Sequence, residues 1–490
     1  MLPSTSQSNP FSWSSFSAVS RSLITFLRAI LLARLLSVEE FGIFASVKAV
    51  QVITLVLAQY GLNAAFISLR PRILSEHQTQ IHSFFLMRVG MVTIWLCLAL
   101  SACLYLDISA THRIYFLSIV GSAWIASFCD APRLWHIRSL SHARVAQLDV
   151  ISLTMGTLAS ILIALVYRNG VALLAQEFVQ AVVLTCAWYF YRPTWRPTRA
   201  YLNYSVETIS YFWQYGSKNI IADMSQQLIG RLDDYWLALV GGDILLGYYT
   251  RAYSLARLPG FVMSQSIKSV TMAIYVKLTD DKIKLSEFFY RINQLQLFLA
   301  ASIVGVLYII APSFIKILLG EKWTPSIPLF RLLLIFAIIE SVRVTMSHLF
   351  LAMKEPERLA RIRLWQLATL IVGLFLASYS DENVALNVAI AVNVTSIASI
   401  VLVLIQSRRY LVDHIKMGKF MIPVVMGLTA YFGASLIYQG GSSYIGEIGS
   451  SFCYLMLYSI LVWLYLQFFD KEYASWAFNL LGQLQSSSKI

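Results

Sequence analysis

Apolar stretches of about 20 residues recur along this chain from one end to the other, each long enough to cross a bilayer as a helix. That recurrence leaves an all-α polytopic membrane protein as the fold class. Only 13% of the 490 residues are charged and the mean hydropathy is +0.66, whereas a soluble chain of this length needs a larger charged surface. The pattern predicts fourteen spans, near 13–35, 43–68, 83–106, 114–132, 147–167, 170–191, 211–240, 244–275, 289–312, 327–352, 362–379, 384–406, 420–438 and 448–469.

Basic residues fall unevenly on alternate connections. One set holds Arg70 and Arg72, Arg133 to Arg144, Arg192 to Arg199, Lys277 to Arg291, Lys354 to Arg361, and Arg408 to Lys419. The other set holds only Arg113, Arg168, Lys316 and Lys322, and includes the acidic Asp381-Glu382. The positive-inside rule makes the first set cytoplasmic, and an even number of spans then places both termini in the cytoplasm. The net charge of +13 is thus an orientation signal and a contact surface for anionic headgroups, not a nucleic-acid footprint. The N-terminus shows no basic region before a short apolar core, so no removable signal is expected. The five cysteines match no metal or redox spacing, and no connection is long enough to fold as a domain. No phosphate-binding G-x-x-x-x-G-K-[ST], H-E-x-x-H or G-x-S-x-G motif occurs. The expectation is a non-enzyme, without catalytic residues, cofactor or metal.

Arg21 and Arg28 stand seven residues apart inside the first span. With Ser14, Ser17 and Thr25 they form one helical face, opposite Phe16, Leu23, Ile24, Leu27, Ile30 and Leu31. One arginine at the centre of a span costs about 2.5–3.5 kcal/mol, so two facing lipid would cost roughly 5–7 kcal/mol. The stripe is expected to face a wet, protein-lined cavity, and a cationic cavity suits an anionic cargo.

An offset of 205 residues aligns Gly42-Ile43-Phe44 with Gly247-Tyr248-Tyr249 and Ala33 with Ala238. The seventh span repeats the polar stripe as Asn219, Asp223, Gln227, Arg231 and Asp234. Six spans per repeat keep one orientation, which gives parallel repeats about an axis along the membrane normal. The expected organisation is an N-terminal lobe (1–191), a linker (192–210), a C-terminal lobe (211–410) and two extra spans with a tail (411–490). The eighth span carries Thr250, Ser254, Arg257, Ser264 and Lys268, with Arg251 near its outer end, and the second adds Lys48 and Gln51. Arg21, Arg28, Lys48, Lys218, Arg231, Arg251 and Arg257 are therefore the candidate substrate-binding cations of a cleft between lobes. Arg231 has Asp233 and Asp234 within pairing distance in sequence, Lys218 has Asp223, and Arg34 and Lys268 can snorkel to an interface. Asp130 and Asp149 read as capping or pairing groups. Asp223, Asp234, Glu177 and Glu340 are the candidate ion-coupling carboxylates, with Glu177 and Glu340 deepest in their spans.

The run Ala33-Arg34-Leu35-Leu36, followed by Phe41-Gly42-Ile43-Phe44, resembles a signature of Wzx-like polysaccharide transporters. These are lipid-linked oligosaccharide flippases of the multidrug/oligosaccharidyl-lipid/polysaccharide exporter superfamily. Leu246-Gly247-Tyr248-Tyr249 with Ala252-Tyr253 and Leu258-Pro259, after Asp233, is similar to that family's second-half motif, and Leu319-Gly320-Glu321-Lys322-Trp323 to its L-[FL]-G-x-x-W turn. The resemblance covers about the first 410 residues. It implies a MATE-like two-lobed bundle in a bacterial cytoplasmic membrane, moving an undecaprenyl-diphosphate-linked oligosaccharide across it by alternating access for cell-surface polysaccharide assembly. The implied partners are the lipid-linked glycan, the bilayer and other assembly proteins. By analogy with a related lipid II flippase, spans 13 and 14 would form a groove for the lipid tail. The rival readings are a lipid II flippase, a MATE-type drug antiporter, which would want carboxylates in its cavity, and an O-antigen polymerase or ligase, which would need a large outer loop.

Overall fold

Helices follow the apolar runs, and local capping chemistry ends them. The computed structural model describes residues 10–69, 74–139, 141–190, 204–379, 383–412, 418–437, 444–470, 472–473 and 476, with backbone alone at 10–16, 18–19, 74–77, 261–270 and 418–419. The expected linker motif at 192–199, the acidic pair Asp381-Glu382 and the side chains of Ser14, Ser264 and Lys268 lie outside the described residues. All regular elements among the described residues are helical: α1 (Pro10–Leu35), α2 (Val38–Gln59), α3 (Leu62–Ser68), α4 (Leu74–Tyr105), α5 (Ala110–Ser127), α6 (Asp130–Arg138), α7 (His142–Tyr167), α8 (Val171–Phe190) and α9 (Val206–Lys277). There follow α10 (Lys282–Ile309), α11 (Ala311–Leu319), α12 (Ile327–Ala352), α13 (Pro356–Ala377), α14 (Val384–Ser407), α15 (Gly418–Ile437) and α16 (Tyr444–Phe468), with a 3-10 turn at Glu321–Ser326.

Every expected span falls on helical chain, the second on α2 and α3 together and the fourth on α5 and α6. The turn between α1 and α2 is a capping box: Ser37 Oγ accepts from the Glu40 amide, and the Ser37 amide donates to the Glu40 carboxylate at 3.0 Å. The seventh and eighth spans are the two arms of α9, broken at Gly242, whose φ of 75° and ψ of 174° suit glycine. The fourth span is bent by 47° between α5 and α6. Among the described residues nine helices are apolar and long enough to cross a membrane, or ten with the bent pair. The other long helices, α1, the arms of α9 and α12, are those that carry Arg21, Arg28, Arg231, Asp233, Asp234, Arg257, Glu340 and Arg343.

The chain divides into two compact units, Met1–Gly247 and Tyr248–Ile490. The first arm of α9, expected with the second lobe, is grouped with the first unit. Its packing explains why: Trp213 stacks on Tyr60 at 4.7 Å, Phe212 meets Phe84 edge-on at 6.2 Å, and the Ser205 amide donates to Ser83 Oγ. Beyond the break, α9 meets α2 with backbone touching backbone. A methyl on Gly42 would overlap the carbonyl oxygen of Asp243, and one on Gly247 that of Val38. Under the 205-residue offset Gly42 becomes Gly247 and Val38 becomes Asp243, so the two contacts exchange.

In the second unit α10 packs against α12, α15 and α16. Tyrosines of α16 dock on α10 through its backbone: Tyr454 donates to the Ala301 carbonyl at 2.8 Å and Tyr458 to that of Phe298 at 3.0 Å. Tyr473, past the helix, donates to the carbonyl of Arg291 at 3.1 Å. Gly305 leaves room for the Tyr454 ring.

Candidate functional site

The charges that hydropathy alone would exclude from the membrane converge in the first unit. Lys48 projects from α2 because position 48 shares a face with Gln51, Leu55 and Gln59, at helical spacing. Its ammonium lies 2.8 Å from Glu177 of α8. On the same cavity, Arg88 of α4 grips Asp130, at the start of α6, through Nε and Nη2, both at 2.7 Å. These two pairs, with Gln51, Gln59 and Gln180, line a polar cavity of about 270 Å³.

Arg21 and Arg28 leave α1 toward this ionic region. Arg21 reaches Asp149 of α7 at 3.6 Å, and the same carboxylate oxygen accepts from Arg133 of α6 at 2.8 Å. Asp149 is therefore a shared counter-charge that draws α1, α6 and α7 together. Arg28 differs. Its Nε and Nη1 are shielded from solvent and bonded to nothing, and Glu177, already held by Lys48, is the carboxylate whose charge acts on it. Within this set Arg21, Arg28, Lys48, Arg88 and Arg133 face Asp130, Asp149 and Glu177, an excess of two positive charges. The opposite face of α1 exposes Leu23, Leu27 and Leu31, as its pattern predicts.

The remaining candidates are not gathered into this set. Lys218 and Asp223 on the first arm of α9 are exposed. Arg231 pairs with Asp234 at 3.0 Å one turn on, beside the buried Asp233. Arg251 and Arg257 belong to the second unit, where Arg257 is exposed and acts electrostatically on Glu340. Glu340 itself accepts a two-pronged grip from Arg343, at 2.7 and 2.8 Å. Glu340 and Glu177, the two deep carboxylates, are thus both engaged, one by a neighbour on its own helix and one across a cavity.

Sequence reasoning missed Arg88 and Arg343. Arg88 follows Phe84-Phe85-Leu86-Met87 inside the third span, so the argument applied to Arg28 would have found it.

Comparison with known proteins places these observations in a family context. Residues 31–328 match the family described as polysaccharide biosynthesis protein. An uncharacterized membrane protein in the cps region of Klebsiella pneumoniae is 22% identical over 378 residues, 75% of each chain. The lipopolysaccharide biosynthesis protein WzxC of Escherichia coli K12 is 23% identical over 224 residues, 44% of this chain and 43% of that one. The fold is that of the inward-closed lipid II flippase MurJ, with a TM-score of 0.73 at 12% identity over 93% of this chain and 99% of that one. An inward-facing MATE multidrug transporter also superposes, with a TM-score of 0.62 at 15% identity over 80% and 94%.

Proposed function

Because the chain belongs to the polysaccharide biosynthesis protein family and is a multi-pass membrane protein with a MATE-like fold, we propose that it is a flippase for a lipid-linked oligosaccharide. The cargo is an undecaprenyl-diphosphate-linked repeat unit, carried across the bacterial cytoplasmic membrane by alternating access for cell-surface polysaccharide assembly. Both termini face the cytoplasm in this reading, as the basic connections require. The protein works as a transporter, like the flippases and exporters it resembles, and makes or breaks no covalent bond.

The observation that carries the proposal is Arg28: a shielded guanidinium with two unbonded nitrogens, under the charge of Glu177, which lines the polar cavity, and within an expected membrane span. A guanidinium presents parallel donors that suit phosphate oxygens, and its bond to an ionised oxygen is roughly twice as strong as a neutral one. A diphosphate entering here competes with Glu177 for Lys48 and Arg28, so binding is favourable without being irreversible. The glutamines and carboxylates of the cavity offer hydrogen-bond partners to the hydroxyls of sugars. Arg21, tied to Asp149, positions α1 and extends the positive field; Lys218, Arg231, Arg251 and Arg257 complete the set of cations proposed along the route. Asp223, Asp234, Glu177 and Glu340 act as counter-charges that a coupling ion could exploit.

The test is a flipping assay in proteoliposomes with a fluorescent undecaprenyl-diphosphate oligosaccharide. Flipping by the wild type that collapses in Arg28→Ala supports the proposal. A folded wild type that flips no polyprenyl-diphosphate glycan but moves small organic cations sinks it in favour of drug export.

A further inference from the structure

The first unit contains a second cavity, on the other face of α2. It is a slot of about 650 Å³ lined almost wholly by apolar groups. Val47, Val50 and Thr54 of α2 form one wall, Trp95, Leu98 and Ala99 of α4 another, and Tyr235 and Leu239 of α9 a third. From Ser46 to Leu57 it extends about 16 Å along α2, about half of the ~30 Å hydrocarbon thickness. Leu57, Leu98 and Leu239 on its walls are between 50% and 65% exposed, so the slot opens sideways at span depth. A soluble partner cannot reach such an opening. Hydrocarbon can.

The slot is apolar along its length and polar at one end. There His112 Nε2 lies 3.3 Å from Asp243, and Ser109 Oγ sits 2.7 Å from His112 Nδ1. This end adjoins the connections poor in basic residues, the outer side in the orientation proposed above. An occupant therefore has a long apolar part in the outer half of the membrane and a polar group at the outer boundary. The volume is roughly four times the ~150 Å³ of a cavity that holds benzene, which leaves room for about 25 carbon atoms. Small residues are part of two of its walls, Ala99 and Ala102 on α4 and Ala238 and Gly242 on α9, which leaves width for methyl branches that a straight chain would leave unfilled.

We infer that this slot binds the isoprenoid chain of the lipid-linked cargo in the outer leaflet, holding the chain once the headgroup has turned outward. The inference rests on the proposed function and deepens it, because it separates the place of the chain from the place of the diphosphate. It also moves the chain site away from α15 and α16, whose α10-facing tyrosines are engaged in docking.

The experiment uses the full chain in vesicles of phosphatidylethanolamine and phosphatidylglycerol. Undecaprenyl diphosphate carrying a diazirine on its chain is the probe, diazirine-tagged phosphatidylglycerol is the parallel arm, and labelled peptides are mapped by mass spectrometry. The inference expects labelling of 46–57 and 95–106 that unlabelled undecaprenyl diphosphate competes away. It further expects Ala102→Trp, which fills the slot, to reduce that labelling on the order of tenfold, as excluding even two methylenes would. Ala99→Phe on the same wall serves as the second variant, and both are scored only where the thermal transition shows a folded protein. Competable isoprenoid labelling confined to α15 and α16, or slot labelling equal for the phospholipid probe, overturns the inference while leaving the flippase reading in place. Absence of competable labelling anywhere removes both.

Discussion

Helix α2 has two faces that carry opposite chemistries. Lys48, Gln51, Leu55 and Gln59 border a cavity holding two ion pairs, whereas Val47, Val50, Thr54 and Leu57 border a slot with one polar end. The same backbone thus divides water-like from oil-like space, with residues three or four apart assigned to one side or the other. An amphiphile with a charged head and a branched tail has the same division. The comparison teaches that the two cavities are best understood together, as separate places for the two parts of one molecule.

Four substitutions test the division, beginning with the largest expected effect. Arg28→Ala lowers flipping by about tenfold or more, equivalent to at least ~1.4 kcal/mol in the barrier, and leaves the thermal midpoint nearly unchanged because the guanidinium has no bonds to lose. A large drop in midpoint would instead make Arg28 a structural group and blunt the contrast between the faces. Gly42→Ala attacks the frame that holds α2 in place. Its methyl overlaps the Asp243 carbonyl, and unfolding followed by circular dichroism is expected to show a loss of roughly 1–3 kcal/mol.

Next comes Glu177→Gln, which leaves Lys48 uncompensated. Both groups retain partial exposure, so about 1–3 kcal/mol of stability is lost, and adding Lys48→Met restores most of it. If the double variant is no more stable than the single, the pair is not the counter-charge arrangement described. The finest probe compares adjacent residues on the two faces. Val50→Gln puts an amide against the apolar slot and costs on the order of 1 kcal/mol or more, while Gln51→Leu removes a carbonyl oxygen that is buried without a partner and changes stability by less than about 1 kcal/mol in either direction. Equal responses at 50 and 51 would mean that α2 does not divide the two environments.

Much of the fold was legible because membrane helices announce themselves by length and hydropathy, and all fourteen expected segments correspond to helices. The gap expected between the spans at 211–240 and 244–275 holds the break in α9, and Arg231–Asp234 was readable because i and i+3 share a helix face. The pairs Lys48–Glu177 and Arg88–Asp130 were not readable, since they join positions 129 and 42 residues apart and depend on which helices become neighbours. For the same reason Asp149 could be read as a capping or pairing group, but its partners Arg21 and Arg133 could not be named. The alternation of polar and apolar cavities around α2 was hidden for a different cause. In a membrane protein an apolar side chain facing lipid and one facing an apolar slot have the same sequence signature.

The docking of α16 on α10 has a consequence of an evolutionary kind. Tyr454 and Tyr458 recognise carbonyl oxygens, which every residue supplies, and the Tyr454 ring asks of α10 that Gly305 remain small. Such an attachment is indifferent to most of the partner's side chains. The terminal helix pair can therefore drift in sequence, or be exchanged between related transporters, while the register that holds it survives in the main chain.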